Sequence, residues 1–337
     1  MEKANRTKKW LIWFFGAVAV LTVLVCMAVY IVDPFFQFRV RDGQYFLTEN
    51  YVNGGIIKND DYDTIIIGSC MVQNYDIAYF DRTFGADAVK IGGGGLDSGG
   101  VIRYLELANR VGSAENYFIN VDLYGFESTD SVKQRALELS EYDYLLRDDP
   151  LARLQYAFSY EVWFRFLPVD VGMSACCALT GKLPVASLSS RSEIAHVGEW
   201  SDNFVYGEEA VMKSRENEDT AATVLNEQEQ SEMRAAMQES MDAYIEAIDF
   251  SAGNYTFIFP PYSYLYWEDA RAANTYEVLT EAKQYLTEKL KSNGAAVYDF
   301  QNADVTYDLD YYMDTTHYSK KLNDFMTECM ASGKYRK

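Results

Sequence analysis

Two short segments, one early in the chain and one late, carry the residue types of nucleophilic catalysis. The early one reads Ile67-Gly68-Ser69-Cys70-Met71. It ends a β-rich run and precedes a helical one. A side chain at such a turn meets unpaired backbone N–H groups and the positive end of a helix dipole. Cys70 or Ser69 could attack an acyl carbonyl from there; the plain alternative is a tight turn around a small buried thiol. The late segment reads Asp314-Thr315-Thr316-His317-Tyr318-Ser319. Asp and His three positions apart face one pocket when the chain turns into a helix. His317 would then be the general base, and Asp314 would fix its tautomer and support its positive charge. The plain alternative is a helix-capping Asp beside a surface His.

Histidine is scarce, with His196 and His317 the only 2 in the chain. His196 lies in Ile194-Ala195-His196-Val197-Gly198, with Glu193 its one nearby acid, and reads as a structural or lid residue. A His-rich metal site is excluded. The 5 cysteines, Cys26, Cys70, Cys176, Cys177 and Cys329, fit no zinc spacing and no disulfide framework. Gly92-Gly93-Gly94-Gly95, with Gly99-Gly100 beyond, follows a second β-rich run. Glycine lets backbone N–H groups approach a ligand closely, so Gly92 or Gly93 could supply an oxyanion donor. A flexible turn is the other reading, and a dinucleotide fingerprint is a weak one. Asp308, Asp310 and Asp314 offer paired carboxylates for glycoside chemistry, but with 50 acidic residues such clusters arise by chance.

The elements that must position these residues follow from hydrophobic patterning. Short apolar runs occur at Thr64–Ile67, Ala88–Ile91, Tyr117–Val121, Thr256–Phe259 and Val297–Phe300. Runs of this length suit strands covered on both faces. Helical spacing links Met233, Met237, Met241, Tyr244 and Ile248, and again Val278, Ala282, Tyr285, Leu286 and Leu290 before Gly294. The β-then-α order predicts an α/β fold: a parallel sheet flanked by helices on both faces. Ligands of such sheets bind beyond the carboxyl ends of the strands, where the three segments above fall. About 125–220 breaks the rhythm with many Tyr, Trp and Phe residues. This aromatic-rich insertion is expected over the strand ends, as a lid, a docking surface or a structural cap.

Trp10 to Val32 is an uninterrupted run without charge. At 1.5 Å per residue it reaches ~35 Å, enough to cross a bilayer core of ~30 Å. Lys3, Arg6, Lys8 and Lys9 precede it, and Asp33-Pro34 follow. The positive flank places residues 1–9 in the cytoplasm and the rest outside. The run is too long for a signal-peptide core and lacks its small-residue ending, so 10–32 reads as an uncleaved, single-pass anchor to the cell membrane. The formal net charge of -20 argues against nucleic acid as a partner and against a body lying flat on anionic lipid.

Taken together, a strand ending in a Gly-x-Ser-like turn, a glycine turn after the next strand and a late Asp-x-x-His resemble the SGNH/GDSL hydrolase superfamily. The similarity is greatest to DltD-like membrane-anchored proteins of bacterial envelopes. It extends to a related anchored group carrying Asp-Thr-x-Ile-Ile-Gly-Ser-Ser-Met early and Thr-His-Tyr-Ser late. Here these read Asp63-Thr64-Ile65-Ile66-Ile67-Gly68-Ser69-Cys70-Met71, with Cys70 in place of the second Ser, and Thr316-His317-Tyr318-Ser319; Phe259-Pro260-Pro261-Tyr262-Ser263 is similar to this group as well. The resemblance implies a flavodoxin-like sheet over 61–337, reached from the anchor by a linker at 33–60. It implies esterase or O-acyltransferase activity on a cell-envelope polymer, without metal or organic cofactor, beside a multi-pass membrane O-acyltransferase. Cys70 falls at the nucleophile position and Ser69 at the acidic position before it, unless the turn is shifted by one residue and Ser69 attacks. Asp314 and His317 fall on Asp-x-x-His, Gly92 or Gly93 on the second-block donor, and Asn120 on the third-block oxyanion donor. The alternative is an inactive relative that binds a glycopolymer or scaffolds the acyltransferase.

Overall fold

The structure is a computed structural model and describes residues 2–40, 49–127, 143–180, 204–217 and 224–337. Five strands, β1 (Thr64–Gly68), β2 (Ala88–Gly92), β3 (Asn116–Asn120), β4 (Asn254–Phe259) and β5 (Ala296–Asp299), form one sheet in the order β2-β1-β3-β4-β5. Every neighbouring pair is parallel. All residues of β1 and β2 are buried, because helices cover the sheet and neither face meets water. Each apolar run expected to be a strand is one.

Helices α1 (Glu2–Val32), α2 (Glu49–Asn59), α3 (Ile77–Phe84) and α4 (Ser98–Val111) come first. Asp76 and Asp97 cap α3 and α4, each accepting a backbone N–H in the first turn, and left-handed Gly85 and Gly112 end them. Next come α5 (Pro150–Ala157), α6 (Leu167–Thr180) and α7 (Glu208–Asn217), then α8 (Glu227–Ala247), α9 (Tyr264–Ala272), α10 (Tyr276–Ser292) and α11 (Lys320–Ser332). The methionine stripe is core: Met237, Met241 and Tyr244 of α8 are buried, and α8 packs on α10 and α4. Its N-terminus is fixed by a reciprocal Asn226–Glu229 capping box.

α1 is apolar, exposed along most of its length, and long enough to cross a membrane. The span expected to be a linker, 33–60, is folded where it is described. Asp33 is fully buried and accepts from the backbone N–H groups of Gln37, Phe38 and Arg39 and from the Tyr156 hydroxyl. α2 packs on α4 and β2, with Val52, Ile56 and Ile57 in the core. Its Gly55 lies where a Cβ would meet the Phe35 and Phe36 carbonyls, so no larger residue fits. α2 is not legible in the sequence because two adjacent glycines, Gly54 and Gly55, weaken its helical signature.

The described parts of the insertion pack in two places. Residues 143–180 pack beside α1 and α2, whereas α7 packs on the turn Leu309–Tyr311 that leads to Asp314. His196 lies outside the described residues.

Candidate functional site

β1 delivers its last residue, Gly68, to a close approach. A Cβ there would lie 2.7 Å from Val72 Cγ1 and 2.8 Å from Asn120 Cβ. Ser69 then caps a single 3-10 turn, Cys70–Val72, and its hydroxyl accepts from the Met71 N–H at 3.3 Å. The sequence suggested a helix opening directly after the nucleophile turn. Instead α3 waits until Ile77, because the intervening residues are held by side chains from elsewhere. Lys90, buried in β2, donates to the carbonyls of Gln73 (2.6 Å) and Tyr75 (3.0 Å). Asn74 donates to the Tyr318 carbonyl at 2.9 Å, which joins the nucleophile segment directly to the segment carrying His317.

The late segment is a bend before α11. Asp314 Oδ1 accepts from the backbone N–H groups of Thr316 (2.8 Å) and His317 (2.7 Å), closing an Asx-type turn. Its Oδ2 lies 2.7 Å from His317 Nδ1. The other ring nitrogen, Nε2, lies 2.9 Å from Cys70 Sγ. Cys70, His317 and Asp314 therefore form one hydrogen-bonded chain, half-buried at each of the three residues.

Charge follows this geometry. Burial alone would lower the His317 pKa, but the Asp314 carboxylate and the Cys70 sulfur outweigh it and raise it to about 10. Burial alone would raise that of Asp314, but the His317 ring and the two backbone donors hold it below the ordinary value. The arrangement favours an imidazolium between two partners that carry or can carry negative charge.

Ser69 is buried, 1% exposed. Its hydroxyl faces Asp122 and Tyr124 as well as the Met71 N–H. Gly92 ends β2 in register with Gly68, and its carbonyl accepts from Asn53 at 2.8 Å. A Cβ at Gly92 would lie 2.8 Å from Val72 Cγ2, so this glycine makes room for the nucleophile turn. Gly93 faces Asn50 of α2. Asn120 ends β3; its carboxamide is buried, faces the Tyr318 hydroxyl and makes no hydrogen bond of ordinary geometry.

Two features escaped the sequence reading. Asp122 is a second carboxylate beside the site, buried and hydrogen-bonded by Tyr262; burial pushes its pKa up against the pull of the Tyr262 and Ser69 hydroxyls. Nothing in its spacing marks it as a neighbour of residue 317. The Lys90 clamp did leave a signal, a charge inside an otherwise apolar strand that is buried on both faces. A third feature, a groove of about 970 Å³, lies between α9, α10 and the end of β5, with Tyr264, Trp267, Tyr276 and Tyr307 in its wall. It is not at Cys70, but Ser263, the residue before Tyr264, donates through its N–H and hydroxyl to the Thr315 carbonyl.

No family model matches the chain, and no curated protein matches it.

Proposed function

We propose that the chain is a membrane-anchored acyl-ester hydrolase or O-acyltransferase of SGNH type, with Cys70 as nucleophile. The observation that carries this reading is the Cys70–His317–Asp314 chain, at 2.9 and 2.7 Å. In support, the strand order 2-1-3-4-5 is that of flavodoxin-like sheets, which bind ligands at the carboxyl edge where Cys70 lies.

In the proposed reaction the Cys70 thiol gives its proton to His317 Nε2, and the sulfur attacks the acyl carbonyl carbon. The tetrahedral oxyanion accepts from the Cys70 backbone N–H, those of Met71 and Val72 being taken by Ser69, with Asn120 and Gly92–Gly93 the adjoining donors. The carbon–oxygen bond to the leaving alcohol breaks as the imidazolium returns the proton to that oxygen, leaving a thioester on Cys70. Water or an acceptor hydroxyl, deprotonated by His317, then attacks the thioester and releases the thiol. Asp314 holds the ring so that Nε2 faces sulfur throughout. Ser69 is the less suitable nucleophile, because it is buried against Asp122 rather than presented to His317.

The DltD-like resemblance, the anchor and the aromatic groove favour an extracytoplasmic domain acting on a cell-envelope glycopolymer, beside a membrane O-acyltransferase. Sugars stack on aromatic walls of this kind. The test is release of p-nitrophenol from p-nitrophenyl acetate by the detergent-solubilised full chain. Equal rates for wild type and His317→Ala would refute the proposal.

A further inference from the structure

We infer that α5 and α6 form a foot sunk into the outer leaflet of the membrane beside α1. Both helices touch α1. Val29, Phe35, Tyr156, Val162 and Phe166 share one small core at the end of the anchor, separate from the sheet's core. Val29 is buried and Thr22, Val25, Cys26, Ala28 and Val32 are partly covered, while the other described side chains of α1 are exposed. From Thr22 to Val29, the cover spans ~10 Å of helix, so it continues well below the anchor's exit.

The outward side of the foot is rich in large apolar residues, with Arg153 and Arg165 the exposed charges among them; long basic side chains of this kind reach up to the lipid headgroups. Leu151, Leu154 and Phe158 of α5 and the residue after it are 66%, 49% and 50% exposed. Phe164, Val171 and Leu179 are 73%, 48% and 86% exposed and recur at helical spacing. The sequence of α6 holds one charged residue, Asp170. In water this would be an aggregation-prone patch; contiguous with a bilayer-length apolar helix, it is an ordinary lipid-facing surface.

The boundary of the bilayer is marked by polar and aromatic groups. Arg39 donates to the Ile31 carbonyl and lies 5.0 Å over the exposed Tyr30 ring. The Trp163 indole donates to the Ala157 carbonyl at 2.7 Å. Such residues gather where lipid meets water. α6 continues the helical segment Glu161–Phe166, but the joined rod carries Glu161, Arg165 and Asp170 and buries Val162 and Phe166 against α1. Arg6–Val32 is the one candidate span among the described residues, so the foot lies within one leaflet. It fixes the tilt of the domain, and with it the height of Cys70 above the membrane.

The experiment uses the full chain in phosphatidylcholine vesicles doped with a lipid that carries a diazirine on its acyl chain. After illumination, adducts are mapped by mass spectrometry. Labelling of 151–180 along with 10–32, and none of 264–291, is the expected result. The double variant Phe158→Glu/Phe164→Glu should lose most of the adducts in 151–180 and keep those in 10–32. Labelling confined to 10–32 in the wild type would overturn the proposal and leave the apolar face to a protein partner, which these vesicles lack. Wild-type labelling decides the matter even if the double variant misfolds.

Discussion

The sulfur of Cys70 lies 2.9 Å from Nε2 of His317, although the two residues are 247 positions apart. Their meeting is held from behind. Asn74 reaches the Tyr318 carbonyl, one residue beyond the histidine, and Lys90 holds the carbonyls on either side of Asn74. Catalysis by this pair requires near-attack geometry, and these bonds are what maintain it.

Removing the base should separate binding from chemistry. His317→Ala is expected to lower kcat for ester hydrolysis by about 10² to 10⁴-fold, the usual weight of a positioned general base. Asp314→Asn keeps the ring but loses the acceptor that fixes its tautomer, and should cost up to about 10⁴-fold. Ser69→Ala should leave far more activity than Cys70→Ala. Steady-state kinetics on the solubilised chain checks all four.

The tether is expected to matter without touching substrate. Asn74→Ala leaves the buried Tyr318 carbonyl without this donor and should cost about 1 to 3 kcal/mol of stability. It should also loosen the Cys70–His317 contact, lowering kcat by roughly 10²-fold with a smaller effect on KM. Thermal unfolding and kinetics of the same preparation separate the two effects. A loss of stability with unchanged kcat would make the bond merely structural.

The pH dependence of stability has a defined sign. His317 is raised from 6.5 to about 10 in the folded chain. Its contribution is complete below pH 6.5 and is lost as pH rises from there through about 10. Asp314 is lowered, so its contribution is present above the ordinary value of 3.8 and is lost as pH falls through its folded value. The difference in melting temperature between wild type and His317→Ala should therefore shrink steadily from neutral pH toward pH 10. A difference that grew over this range would contradict the assignment of the proton.

The anchor should behave as part of the domain. Tyr156→Phe removes the hydroxyl that donates to Asp33 and accepts from the Phe35 N–H. Burial already raises the Asp33 pKa against the pull of its donors, so losing one should cost about 1 to 3 kcal/mol. Faster proteolysis near residue 33 in vesicles is the expected sign.

Much of this arrangement was legible in the sequence, for identifiable reasons. Five apolar runs bounded by Gly, Pro or Asp became five strands, because strands buried on both faces need continuous apolar residues. The Asp-x-x-His spacing foretold a local turn, and the turn formed because one carboxylate can accept from two backbone N–H groups and a ring. α2 was hidden because glycines that admit the Phe35 and Phe36 carbonyls also erase helical propensity. The partnership of Asp122 with Ser69 and Tyr262, and of Asn74 with Tyr318, could not be read at all. Those contacts depend on how distant elements stack, which no local spacing encodes.

The most direct measurement is mass spectrometry of the full chain after brief exposure to p-nitrophenyl acetate at neutral pH. One acetyl group should appear on the peptide containing Cys70, removable by hydroxylamine and absent from Cys70→Ala, with its formation slowed at least about 10²-fold in His317→Ala. An acetyl group on another residue, or equal acylation of Cys70 with and without His317, would contradict a nucleophile–base couple at residues 70 and 317.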